Sequence, residues 1–142
     1  MNYETYTLDT LNKLGIRKFL RGSEYIVFGI EYLFSLNQYT IPESGMIYND
    51  AAQKFFLSPT AIENSMRNTI QTIWTNKENP ELMTKIFGSY NLSKRPCNME
   101  FLMLLYNYIR ICSENSTNLK RLNDIWEESK KYHLIKNKSH SI

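Results

Sequence analysis

The sequence predicts an all-α chain, and three observations carry that prediction. Apolar residues recur at helical spacing in most segments, Ser-Pro and Gly stand where helices start and stop, and no stretch alternates as a half-buried strand does. The 142 residues suit one domain of ordinary size. With 42% hydrophobic residues, 22% charged, 5 Gly and 4 Pro, the composition is that of a folded globular protein rather than a disordered one.

The first helix is expected from about Tyr6 to Leu14, where Leu8, Leu11 and Leu14 share a face and Gly15 follows the end. Ser23-Glu24 opens a second, running to about Asn37. It is apolar on several faces through Tyr25, Ile26, Val27, Phe28, Ile30 and Leu33, which marks a central helix. Pro42 and Gly45 make Thr40 to Gly45 a loop. A short third helix is expected over Asn49 to Phe56. Ser58-Pro59 then supplies an N-cap and a proline at the first helical position for a fourth, reaching about Asn76 with Trp74 turned to the core. Pro80 interrupts, and Glu81 to Phe87 forms a fifth helix stopped by Gly88. Asn98 to Ile111 is the sixth, with Phe101, Leu102, Leu105, Tyr108 and Ile109 in the core. Met99, Met103 and Tyr106 fit core packing better than an interaction stripe. A polar joint, Ser113 to Asn118, precedes an extra C-terminal helix on the surface, Leu119 to about Leu134, and a tail expected to fray from Ile135. The chain thus divides into a helix-turn-helix domain over residues 1–112 and a helical extension with a basic tail over 113–142.

Several function classes drop out on composition. Met1 to Thr10 carries Glu4 and Asp9 but no basic residue, unlike a secretory signal, and Tyr25 to Leu36 is too short to span a bilayer, so a cytoplasmic chain without membrane contact is expected. Cys97 and Cys112 have no CxxC spacing and read as reduced thiols. His133 and His140 are too far apart for a one-turn ligand pair, so no metal is expected, and no cofactor motif is present. Glu127-Glu128 point to different parts of a helix surface, and Ser65 and Ser93 lie in no nucleophile motif, so neither catalytic residues nor an enzyme are expected.

What remains is a helix-turn-helix between Tyr48 and Lys77. At 100° per residue Ile62, Met66, Thr69, Ile70 and Ile73 fall on one side of the fourth helix. Thr60, Glu63, Asn64, Arg67 and Gln71 fall on the other. Arg bonds guanine edges, Asn and Gln bond adenine, Glu accepts from cytosine and Thr meets the thymine methyl. An ordinary amphipathic helix with a solvated face has the same periodicity, so the pattern alone leaves both readings open.

A resemblance separates them. Leu14-Gly15-Ile16, Arg21-Gly22, Ile47-Tyr48-Asn49-Asp50-Ala51-Ala52-Gln53-Lys54-Phe55, then Glu63, Met66, Arg67, Ile70 and Trp74, then Ile86-Phe87-Gly88 and Arg95-Pro96-Cys97-Asn98-Met99-Glu100-Phe101 occur in order. From Leu8 to Ile111 the chain resembles the C-terminal DNA-binding effector domain of stage-zero sporulation protein A, a sporulation response regulator. The resemblance implies a six-helix domain whose fourth helix enters the major groove, with copies side by side on A·T-rich boxes. It also marks departures. Ala61, Asn64 and Asn68 stand where Arg, Arg and His are expected, Glu63 and Arg67 keep the pattern, the receiver domain has no counterpart here, and the segment from Ser113 onward has none in the family.

The function so implied is that of a sequence-specific transcriptional regulator or accessory factor related to sporulation control. Glu63, Asn64, Arg67, Asn68 and Gln71 read bases of double-stranded DNA, while Lys54, Ser58, Thr60 and Lys94 contact its backbone. A homodimer or tandem copies on DNA, and RNA polymerase, are the further partner candidates. The rival is a protein-interaction module that has lost DNA binding and modulates a full-length regulator. It draws on charge: residues 1–77 hold 7 Lys+Arg against 7 Asp+Glu, whereas Lys120 to Ile142 hold 6 against 3. If DNA is bound, the extension is therefore the expected source of non-specific affinity.

Overall fold

A computed structural model describes residues 2–17, 20–36, 42–88 and 92–140, the side chains of 44, 116–119 and 130–140 excepted. The order is α1 (Tyr3–Lys13), α2 (Arg21–Ser35), α3 (Ser44–Phe55), α4 (Pro59–Asn76), α5 (Pro80–Phe87) and α6 (Asn98–His140), with no strand among the described residues.

The helices start and stop for identifiable local reasons. Asn2 caps α1 by accepting from the Glu4 amide at 3.0 Å, which begins the helix three residues before the apolar spacing does. Gly15, at φ +97°, ends it in a left-handed turn in which the Ile16 amide returns to the Leu11 carbonyl at 2.9 Å. Asn79 caps α5 through the Leu82 amide at 3.1 Å, and Gly88, at φ +84°, closes it. The loop expected over Thr40–Gly45 falls partly on residues 40 and 41, outside the described ones. Pro42 and Glu43 are non-helical and α3 starts at Ser44.

Residues Met1–Ile109 form one compact unit. Within it α2 is central, packing against α1, α3 and α4. Leu11, Ile26, Ile30, Ile47, Ile62, Met66, Ile70, Phe87, Phe101 and Leu102 are among the buried core residues. Trp74, 5% exposed, lies 4.9 Å from Phe87 and 6.2 Å from Phe101 between ring centroids, each edge-on, and Phe87 stacks on Phe101 at 5.0 Å. Met99, Met103 and Tyr106 are half-buried against this core. Polar groups inside are satisfied: among the described residues every buried side-chain nitrogen and oxygen has a partner. Thr7 and Thr10, for example, donate to carbonyls one turn back at 2.7 and 2.8 Å.

Gly22 sets how closely α2 meets α4. A Cβ there would collide with the Thr69 hydroxyl and come within 2.9 Å of the Ser65 carbonyl oxygen, so only glycine admits this crossing. Thr69 spends its hydroxyl on that same carbonyl, at 2.9 Å.

Residues Arg110–Ile142 form the second unit. The extra C-terminal helix expected after a joint is the continuation of α6, which passes through Ser113–Asn118 unbroken and is helical to His140, beyond the expected point of fraying. Here Leu122, Ile125 and Trp126 are each 60% exposed or slightly more.

Candidate nucleic-acid interface

The pair α3 and α4 is joined by Phe56, Leu57 and Ser58. Phe56 occupies the left-handed region at φ 57°, ψ 44° and is 92% exposed, while the Leu57 amide returns to the Ala52 carbonyl at 3.0 Å. A left-handed residue reverses the chain within one step, usually by means of Gly or Asn, and a phenylalanine there carries a backbone cost of about 1–2 kcal/mol. The Ser58 hydroxyl oxygen then accepts from the Ala61 amide at 3.1 Å, and Pro59 takes the first helical position.

On α4 the two faces separate by burial as their spacing predicts. Ile62, Met66, Thr69, Ile70, Ile73 and Trp74 are buried. Thr60, Asn64, Arg67, Asn68 and Gln71 are exposed, and Glu63 is half-buried. Five candidate base-reading residues thus share one outward row.

The row is internally bonded. Arg67 Nη2 donates to Glu63 Oε1 at 2.8 Å and Nη1 to Asn64 Oδ1 at 3.0 Å. Gln71 Nε2 donates to Thr75 Oγ1 at 3.0 Å. The Arg67–Glu63 pair is roughly two-fifths exposed on both sides, where such pairs contribute little stability, about 0.3–0.5 kcal/mol. Its consequence is geometric: the guanidinium is oriented before any ligand arrives.

Three residues absent from the expected site hold this row from outside. Asn98 Nδ2, at the start of α6, donates to the Glu63 backbone carbonyl at 3.0 Å, and Arg95 Nη1 donates to the Arg67 carbonyl at 3.4 Å. Tyr48 of α3 hydrogen-bonds the Asn98 side chain, and its burial raises the phenol above its ordinary pKa, so it is neutral at physiological pH. Tyr48, Glu63, Arg67, Arg95, Cys97, Asn98 and Met99 line one depression. A second depression beside it is lined by Gln71, Trp74, Lys77, Leu92, Ser93, Lys94 and Arg95. Lys77, Lys94 and Arg95 therefore border the outward row. Arg95 to Asn98 belong to the matched sequence fragments, but bonds spanning 28 and 35 residues leave no periodic signal.

Lys54 does not join them. Its Nζ lies 5.4 Å from the centroids of both Phe28 and Phe55, in a separate depression bordered by Glu4, Glu24 and Glu31.

A helix-turn-helix with a packed inner face and a polar outer row, inside an all-α body, is the architecture of DNA-binding regulatory domains. The family follows. The model of the family described as sporulation initiation factor Spo0A C terminal matches residues 7–109, and the chain belongs to that family of sporulation DNA-binding domains. Residues 110–142 lie outside the match. Among the described residues no helix is long and apolar enough to cross a membrane.

Proposed function

We propose that this chain is a sequence-specific DNA-binding regulator or accessory factor of sporulation control. Arg67, Glu63, Asn64, Asn68 and Gln71 read base edges in the major groove. Ser58 and Thr60, at the α4 N-terminus where helix amides favour anions, contact phosphate together with Lys94, Lys77 and Arg95. The observation that carries this reading is the single outward polar row on α4, backed by a continuous buried face.

The test is a fluorescence anisotropy titration against duplex fragments recovered by genomic footprinting, at several salt concentrations. Affinity should fall linearly on a log–log plot as salt rises. Arg67→Ala should lose about 1–3 kcal/mol of specific binding and leave the melting temperature unchanged. Equal affinity of variant and wild type would sink the assignment of Arg67.

One observation favours a second reading, in which the fold serves as a protein-interaction module acting on a full-length regulator. Both terminal nitrogens of Arg67 are already engaged by Glu63 and Asn64. No salt-dependent DNA binding, together with a complex formed with such a regulator, would establish that alternative.

A further inference from the structure

We propose that the C-terminal part of α6 is a self-association element: two copies of this chain pair it antiparallel around Ile125, face to face through Leu122, Ile125 and Trp126. Three observations combine to identify the occupant of that face as a second copy.

The first is exposure. Leu122 is 62% exposed, Ile125 61% and Trp126 60%, whereas the earlier part of the same helix has Phe101, Leu102, Leu105 and Ile109 at 0%. The second is placement. At 100° per residue the three side chains fall within a roughly 100° arc, with exposed Ile111 in the same arc, while Lys120, Asp124 and Glu127 lie well outside it. An apolar stripe of this width is what a helix presents to one packing partner, and most helical stability in proteins comes from burying such a face.

The third observation is charge. Arg121 and Glu128 lie on the same flank of the stripe, beside Ile125, opposite in sign and seven residues apart, which is about 10.5 Å along the axis. When two copies of one helix pack antiparallel about a two-fold axis, each flank meets its own image reversed. Arg121 of either copy then faces Glu128 of the other, and the contact is made twice. The flank is therefore complementary to itself. The apolar patch is short, so its buried area falls below that of a standard interface, and association is expected with a Kd on the order of tens of micromolar.

This does not depend on the DNA reading and is tested without DNA. Sedimentation velocity on the full chain, from a few micromolar to a few hundred, should show a reversible monomer–dimer equilibrium. Ile125→Asp should weaken it about tenfold or more, with circular dichroism confirming that the variant is folded. Arg121→Glu and Glu128→Arg, each of which sets like charges face to face at both contacts, should weaken it about threefold or more. The double variant, which exchanges the two signs, should return to the wild-type constant. A monomer at every concentration, a dimer indifferent to Ile125→Asp, or a double variant no better than the singles would each overturn the proposal. So would association that appears only when DNA is added, which would assign the extension to the DNA backbone instead.

Discussion

The chain has two tryptophans, in helices of similar local regularity, with opposite surroundings. Trp74 is 5% exposed and edge-on to Phe87 and Phe101, whereas Trp126 is 60% exposed. Both sit among apolar residues at helical spacing, so the difference lies in what the rest of the chain brings against each. Residues 1–109 supply five other helices to cover the faces of one another. Residues 110–142 contain one helical segment among the described residues, and Leu122, Ile125 and Trp126 there stay largely exposed. Spacing fixes which residues share a face, and only topology decides whether that face is covered.

The largest way to break this comparison is to truncate each tryptophan in turn. Trp74→Ala should cost about 3–5 kcal/mol of unfolding free energy, whereas Trp126→Ala should stay within about 0.5 kcal/mol at sub-micromolar concentration. Urea titration decides between them, and similar losses would show the burial contrast to be wrong. Acrylamide should quench Trp126 and leave Trp74 shielded. Next in size is Gly22→Ala, expected to cost about 1–3 kcal/mol because the methyl group meets the Ser65 carbonyl and the Thr69 side chain. A stabilised variant would mean that α2 and α4 separate without penalty.

Tyr48→Phe removes the hydrogen bond to Asn98 and should cost about 1 kcal/mol. Its pH signature has a definite sign. Burial raises the phenol pKa in the folded state, so the fold favours the neutral form. That contribution is complete below the unfolded-state pKa, near 10, and is lost as pH rises past it. Wild type should thus lose melting temperature above about pH 10 faster than the variant, and parallel curves would remove Tyr48 from the account.

The smallest effect on stability belongs to the extension. Truncation after Asn118 should leave the unfolding free energy of the body within about 0.5 kcal/mol. If its cations reach DNA, the slope of log affinity against log salt should flatten by about two or three units. A less stable body with an unchanged slope would instead make the extension a cover for the core.

Much of the body was legible in the sequence because its signals are local. Ser58-Pro59 opens α4, Gly15 and Gly88 end α1 and α5, and the inner and outer rows of α4 follow from a period of 3.6 residues. The misplacements share one cause: polar or flexible residues resemble breaks where nothing forces one. Ser44 and Gly45 lie in the first turn of α3, where a Cβ on Gly45 would meet nothing within 4 Å and the cost of glycine is small. From Asn98 to Ile142 there is neither Gly nor Pro, so Ser113–Asn118 costs only a few tenths of a kcal/mol per residue and α6 continues. Arg95 and Asn98 leave no sequence signal because they act on backbone carbonyls of a distant helix, and Tyr48 leaves none because it acts through Asn98.

The clamp on Arg67 has a consequence for accuracy. A side chain that waits in solvent gains from any acceptor it meets, correct or not. One already bonded to Glu63 and Asn64 must give up those bonds first, and if Arg67 reads a base, guanine is the base edge whose two coplanar acceptors compensate for both. On the proposed DNA reading Glu63 is then a threshold as well as a reader, lowering affinity for every sequence while widening the gap between the right one and its near neighbours. Glu63→Ala should bind more tightly to mismatched duplexes than wild type does, and a variant weaker on all sequences would leave Glu63 a base contact with no threshold role.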